Sequence, residues 1–224
     1  MTIGKFLGRI AAVVALFALY SVAQAISVVP TIVTNGKAGA LIVAGVFTIA
    51  FGGLLYLLAA VYQYFLRFEK PAVYGPRHLD KKVARFMVGM VLALAATQLL
   101  NGIGLQLHWT QEASNQEALT ALLKQAPLAM VLVAVVGAPP VEELLFRGLL
   151  MHCFPHQDQR GWLWFSGSVS ALVFGLLHAG PSEPFAWALY TAMGAIFAAT
   201  YAYTKDIRYS MTLHFLNNFI ALFL

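Results

Sequence analysis

Residues 139–148 read PPVEELLFRG: two prolines, two adjacent glutamates and an arginine inside an otherwise apolar stretch. Of the nine Asp and Glu in the chain, seven fall in polar segments between apolar runs, and only Glu142 and Glu143 sit well inside one. The surroundings set the reading. The chain has 224 residues, 60% of them hydrophobic and 10% charged, with a mean hydropathy of +0.76. A soluble domain of this length needs a polar surface that such a composition cannot supply. The expected fold is therefore all-α, a polytopic transmembrane helical bundle, because helices satisfy their own backbone polar groups in lipid.

Working outward, apolar runs place spans near 8–30, 38–66, 82–107, 118–154, 161–179, 184–203 and 208–224. That makes about seven spans, or eight if 118–154 crosses twice. At 1.5 Å per residue each covers about 30 Å of hydrocarbon, the last at the short end. The chain reads as one integral membrane domain, 1–224, without linker, low-complexity segment or internal repeat, so a repeat-built transporter gains no support. Lys5, Arg9, an apolar core and AQA at 23–25 suit a signal peptide, but the run continues through ISVVPTIV, which favours an uncleaved first span. The single Cys153 rules out an internal disulfide. Pro139-Pro140 ahead of an acidic turn is a helix-start signal that pushes Ala138 out of helical geometry, so a kink or break is expected there with a fresh helix near Val141.

The net charge is +5, and six of the fourteen basic residues (Arg67, Lys70, Arg77, Lys81, Lys82, Arg85) lie in one loop. This is the pattern of a cytoplasmic loop facing anionic lipid, not of a nucleic-acid surface. HWTQEASNQE, 108–117, has two acids and no Lys or Arg. With 118–154 counted once, the loops give a cytoplasmic N-terminus and an outward C-terminus.

Ionisable groups inside a membrane cost about 2.5–3.5 kcal/mol each at a helix centre, which makes them functional candidates. Glu143 and Arg147 are four apart with the acid first, the spacing of a helical ion pair, and a neutral pair is cheaper to bury than either ion. Glu142 points about 100° away and has no partner in the local sequence. Such a carboxyl can serve as a general base or acid. His178 ends FGLLH one turn after Phe174, and a lone histidine there is more often a packing residue. His214 and Asn218 in HFLNN share a face, which also suits interhelical hydrogen bonding. Together, one glutamate, two histidines and an asparagine on three late spans can activate water and stabilise an oxyanion, as peptide hydrolysis requires. In HCFPH, 152–156, Pro155 interrupts the helix a paired-histidine metal site needs, so His152 and His156 read as interfacial residues.

EELLFRG, FGLLH and HFLNN, in this order, resemble the EExxxR, FxxxH and HxxxN motifs of the CAAX protease and bacteriocin-processing (CPBP, or Abi) family, which includes the type II CAAX prenyl endopeptidase. The resemblance covers the segment 118–224; residues 1–110 carry no signature. It implies an intramembrane endopeptidase in which Glu142 and His178 activate water, His214 and Asn218 form the oxyanion hole, and Glu143 with Arg147 is the structural pair. It implies a location in a bacterial plasma membrane and a small membrane-associated peptide or protein as substrate. No cofactor is expected; the alternative is zinc on Glu142, His178 and His214, for which Asn would be a poor fourth ligand. A second alternative is a non-catalytic membrane protein for bacteriocin immunity or scaffolding. By helical rise, Glu142, His178 and His214 lie roughly 18, 26 and 9 Å from their cytoplasmic ends. They converge only if the fifth span begins in the interface, with GWLWF at headgroup level, or if spans tilt and kink.

Overall fold

The computed structural model describes residues 2–29, 36–68 and 74–223. Lys70 and the 30–33 part of the first apolar run lie outside them. Among the described residues there are eight helices and no strand: α1 (Ile3–Val28), α2 (Gly36–Leu66), α3 (Lys81–Gln106), α4 (Ser114–Gln125), α5 (Pro127–Cys153), α6 (Arg160–His178), α7 (Pro184–Thr204) and α8 (Ile207–Ala221). Six of them, α1, α2, α3, α5, α6 and α7, are long and apolar enough to cross a membrane. The protein is an integral membrane helical bundle. The expected seventh span is the 15-residue α8, about 22 Å long by rise and short of the hydrocarbon thickness.

Helix boundaries follow from local chemistry. Asp80 caps α3, its Oδ1 accepting from the Lys82 and Val83 amides at 2.8 Å, and Asp206 caps α8 through the Arg208 amide at 3.1 Å. Proline opens α5 and α7 at Pro127 and Pro184, where a missing N–H loses nothing. Lys205 closes α7 in the left-handed region at φ 57°.

The kink or break expected at Pro139 is a distortion within a continuous helix, with no fresh start near Val141; the chain breaks at Ala126, where φ −140° and ψ 59° separate α4 from α5. Ala138 is helical, at φ −59° and ψ −51°, and α5 runs on through the prolines. It does so by widening: residues 131–137 form a π-helical turn in which the Ala138 amide donates to Val133 O, five residues back. A wider turn relieves the clash between a proline ring and the carbonyl four residues before it. A second π-helical stretch covers Leu144–Leu150. The apolar run 118–154 is thus α4, with no buried residue and about 18 Å long, followed by one membrane-length helix.

α5 is the most buried of the six long helices and forms the axis of the bundle. α6 and α7 pack backbone to backbone against each other. A Cβ on Gly175 would lie 2.9 Å from Thr191 N, and one on Gly194 would lie 3.0 Å from Ala171 O. Along α5 and the turn after it, Ser170 Oγ donates to Phe146 O at 3.0 Å and Ser166 Oγ to Gln157 Oε1 at 3.0 Å. The GWLWF turn of α6 therefore lies past the end of α5. From Gly167, beside Met151, to His178 is about 16 Å of helix, against about 14 Å from Met151 back to Glu142. That offset lets the two residues meet.

Candidate active site

α5 presents its two glutamates to different neighbours, as their angular separation requires. Glu143 Oε1 accepts from Arg147 Nη1 at 3.1 Å and from His214 Nδ1 at 2.9 Å. Arg147 is fully buried, surrounded by the rings of Phe146, Phe174 and Phe197, and its Nη2 donates to Gly194 O at 2.7 Å. The ion pair expected from the i, i+4 spacing is present. Its carboxylate also holds a histidine of the candidate set.

Glu142 is buried and finds its partners on distant helices. Its Oε1 accepts a 2.8 Å hydrogen bond from Tyr20 Oη of α1. Its Oε2 faces His178 Nε2 at 3.6 Å and His214 Nε2 at 3.8 Å, and has no hydrogen-bond partner among the described residues.

Both rings are oriented from behind. His178 Nδ1 lies 2.8 Å from Phe174 O, with the ring stacked on Phe174 at 4.1 Å and on Tyr190 at 5.0 Å. This explains the FxxxH spacing: one phenylalanine supplies a carbonyl and a stacking face one turn back. His214 stacks on Phe197 at 4.5 Å. A carbonyl and a carboxylate only accept, so each Nδ1 carries a proton and each ring turns its Nε2 toward Glu142. Glu142 Oε2 and the two Nε2 atoms converge on one point.

These are donor types that zinc accepts, and Phe174 O and Glu143 occupy the outer positions that orient metal-bound histidines. Among the described residues, however, no three His, Cys, Asp or Glu side chains form a metal-holding group.

Asn218 lies to one side. Its Nδ2 donates to Ala134 O at 2.9 Å, and its Oδ1 accepts from Asn217 Nδ2 at 3.2 Å, which continues to Gln98 on α3. Ala134 O needs this partner. The Ala138 amide has moved to Val133 O, and residue 139, next in a π-helical register, is a proline with no N–H. One amide proton of Asn218 is thereby engaged, and the other remains for a second acceptor.

The structure brings Glu142, His178 and His214 together and ties Asn218 to the turn before them. Tyr20, on an apolar helix with no motif, was missed; no local signal marks it. His152 is not interfacial: it is fully buried between the rings of Tyr62 and Tyr74, with Nε2 2.6 Å from Tyr201 Oη. The π-helical stretch of Leu144–Leu150 and the turn after it are buried on all sides, so position along the sequence misled.

Residues 124–220, which hold all three motifs, match the family described as Type II CAAX prenyl endopeptidase Rce1-like. YdiL of Bacillus subtilis, named provisionally as a membrane peptidase, is 32% identical over 108 residues, 48% of this chain and 41% of that protein. YvdC of Lactococcus lactis is 28% identical over 140 residues, 62% of this chain and 51% of its own length. MroQ of Staphylococcus aureus, named a membrane-embedded CAAX protease, is 28% identical over 140 residues, 60% of this chain and 51% of its own. The matched part thus spans about half the length of these relatives, or less. No solved structure matches the chain. Motif order, the meeting of three helices on Glu142 and these relatives agree, and the segment from residue 124 to residue 220 is similar to the Rce1-like CAAX protease family.

Proposed function

We propose that the protein is an intramembrane endopeptidase that hydrolyses a peptide bond of a small membrane-associated peptide or protein, in a bacterial plasma membrane with the N-terminus cytoplasmic. The observation that carries this reading is the convergence of Glu142 Oε2 with the Nε2 atoms of His178 and His214 at 3.6 and 3.8 Å. Those gaps are too long for direct hydrogen bonds and suit a bridging water.

A water held there gives one proton to Glu142 Oε2 as its oxygen attacks the scissile carbonyl carbon, with its other hydrogen on His178 Nε2. The carbonyl π pair moves onto oxygen. The oxyanion is met by Asn218 Nδ2–H and by His214, which donates from Nε2 only when it carries both ring protons, Nδ1–H staying on Glu143. Collapse of the tetrahedral species breaks the C–N bond, and the proton held by Glu142 passes to the leaving amine. The chain's residues thus position, deprotonate and stabilise without a covalent intermediate.

A zinc-dependent reading uses Glu142, His178 and His214 as ligands; what favours it is the pair of acceptors, Phe174 O and Glu143, behind the two rings. One experiment separates the readings. Purified protein is assayed in detergent against a library of quenched-fluorescence hydrophobic peptides, with and without chelator, and its metal content is measured in parallel. The glutamate mechanism expects cleavage that resists chelation. Stoichiometric zinc whose removal and return switches cleavage off and on would overturn it. A lack of cleavage under all conditions would favour a non-catalytic immunity or scaffolding protein.

A further inference from the structure

We infer that Tyr20, on α1 and outside the matched segment, is a positioning residue of this site: its hydroxyl holds one carboxylate oxygen of Glu142 so that the other is left free for the attacking water. The inference rests on the protease reading for its catalytic meaning and on geometry for the contact itself. Tyr20 Oη donates to Glu142 Oε1 at 2.8 Å, and the tyrosine is only 3% exposed. A carboxylate turns readily about its last torsion, so an unheld Glu142 would exchange its two oxygens and swing between the histidines. With Oε1 taken, Oε2 stays on the side of His178 and His214, with no partner of its own among the described residues.

The contact is set by a whole helix interface. α1 runs antiparallel to α5 and touches it at four levels. Phe6 meets Phe154 at 5.9 Å between ring centroids, Arg9 donates to His152 O, Phe17 meets Phe146 at 6.3 Å, and Tyr20 reaches Glu142. Phe6 to Tyr20 on α1 is thus matched to Phe154, just past the end of α5, back to Glu142, so a slip of even one residue would disturb every level. The Tyr20 ring is also wedged edge-on against Phe17 and Phe51, at 6.1 and 6.2 Å. A buried tyrosine needs some partner for its hydroxyl; here that partner is the acid that faces both histidines.

Tyr20→Phe removes the hydroxyl and keeps the ring in its place. We expect kcat to fall roughly ten- to a hundredfold, as for a misplaced reacting group, with KM unchanged. Independently of turnover, we expect dicyclohexylcarbodiimide to modify Glu142 several-fold faster in the variant, as read by peptide mass spectrometry, because Oε1 is no longer covered. Wild-type kcat, or equal labelling rates, would overturn the inference. An inactive wild-type protein would instead overturn the protease reading. The labelling ratio then still decides on Tyr20: a several-fold rise upholds the contact, and a ratio of one removes it.

Discussion

At the scale of single residues, the two adjacent glutamates divide their work less cleanly than helical spacing suggests. Glu142→Gln is expected to abolish proteolysis while the protein still accumulates in membranes, because an amide cannot accept the proton of water. Immunoblots of membrane fractions alongside the cleavage assay check it, and normal abundance with full activity would sink the role. Glu143→Ala is expected to lower abundance, since a buried Arg147 without its carboxylate costs several kcal/mol. Because the same oxygen holds His214, the fraction that folds should also turn over slowly. Glu143 thus acts on the site as well as on stability, a link the i, i+4 reading could not contain. Asp206 offers a titration outside the spans. Burial pushes its carboxyl up, but the Arg208 guanidinium and the amides of Arg77 and Arg208 outweigh it, leaving the group below the usual carboxylate range. A depressed folded value means the stabilisation is full above the unfolded value, near 3.9, and is lost as pH falls through the folded one. The difference in melting temperature between wild type and Asp206→Asn should therefore be constant from neutral pH down to about 5 and shrink below about 4. A difference independent of pH down to 3 would contradict it.

At the scale of elements, α5 was readable as a special helix but not as the helix it is. Pro139 and Pro140 signal a disruption, and a disruption can be a break or a widened turn; the choice depends on whether another helix can serve the carbonyls left over. Asn218 does so for Ala134 O, from 84 residues away, which no local pattern encodes. Tyr20 was illegible for the same reason: its partner is 122 residues distant, and a tyrosine in an apolar run carries no periodicity of its own. His178 was legible because Phe174, one turn back, supplies its stacking face and a carbonyl, and Glu142 because it stands beside the Glu143–Arg147 pair without a local partner of its own; His214 was legible only through the HFLNN spacing, since its partners Glu143 and Phe197 lie on other helices. Asn218→Ala should accordingly lower two quantities together. On the proposed mechanism it removes an oxyanion donor, typically 10²–10³ in turnover, and it leaves Ala134 O unsatisfied, at about 1–3 kcal/mol. A thermal-shift measurement next to kcat tests both. An unchanged melting temperature would mean that Asn218 does not complete the turn.

At the scale of the molecule, composition alone was enough for the bundle, because 60% hydrophobic residues leave no soluble alternative. The count of crossings was harder, since 118–154 joins an exposed short helix to a membrane-length one and α8 ends short. Orientation remains to be measured. Cysteine labelling in a Cys153→Ala background should find position 114 reachable from outside intact cells and position 78 only after permeabilisation; the reverse pattern would invert the protein. The bond from Asn218 to Ala134 O also has a meaning in time. α8 is synthesised after every helix it touches, so during insertion α5 stands in lipid with an acceptor still open and Arg147–Glu143 still lacking His214. A chain cut before Ile207 is therefore expected to be cleared rapidly by membrane quality control, as pulse–chase would show, and α8 supplied as a separate polypeptide should slow that loss. α8 thus supplies partners to Ala134 O and Glu143 that α5 lacks, and the order of synthesis keeps the proposed site unassembled until the helices before it are in place.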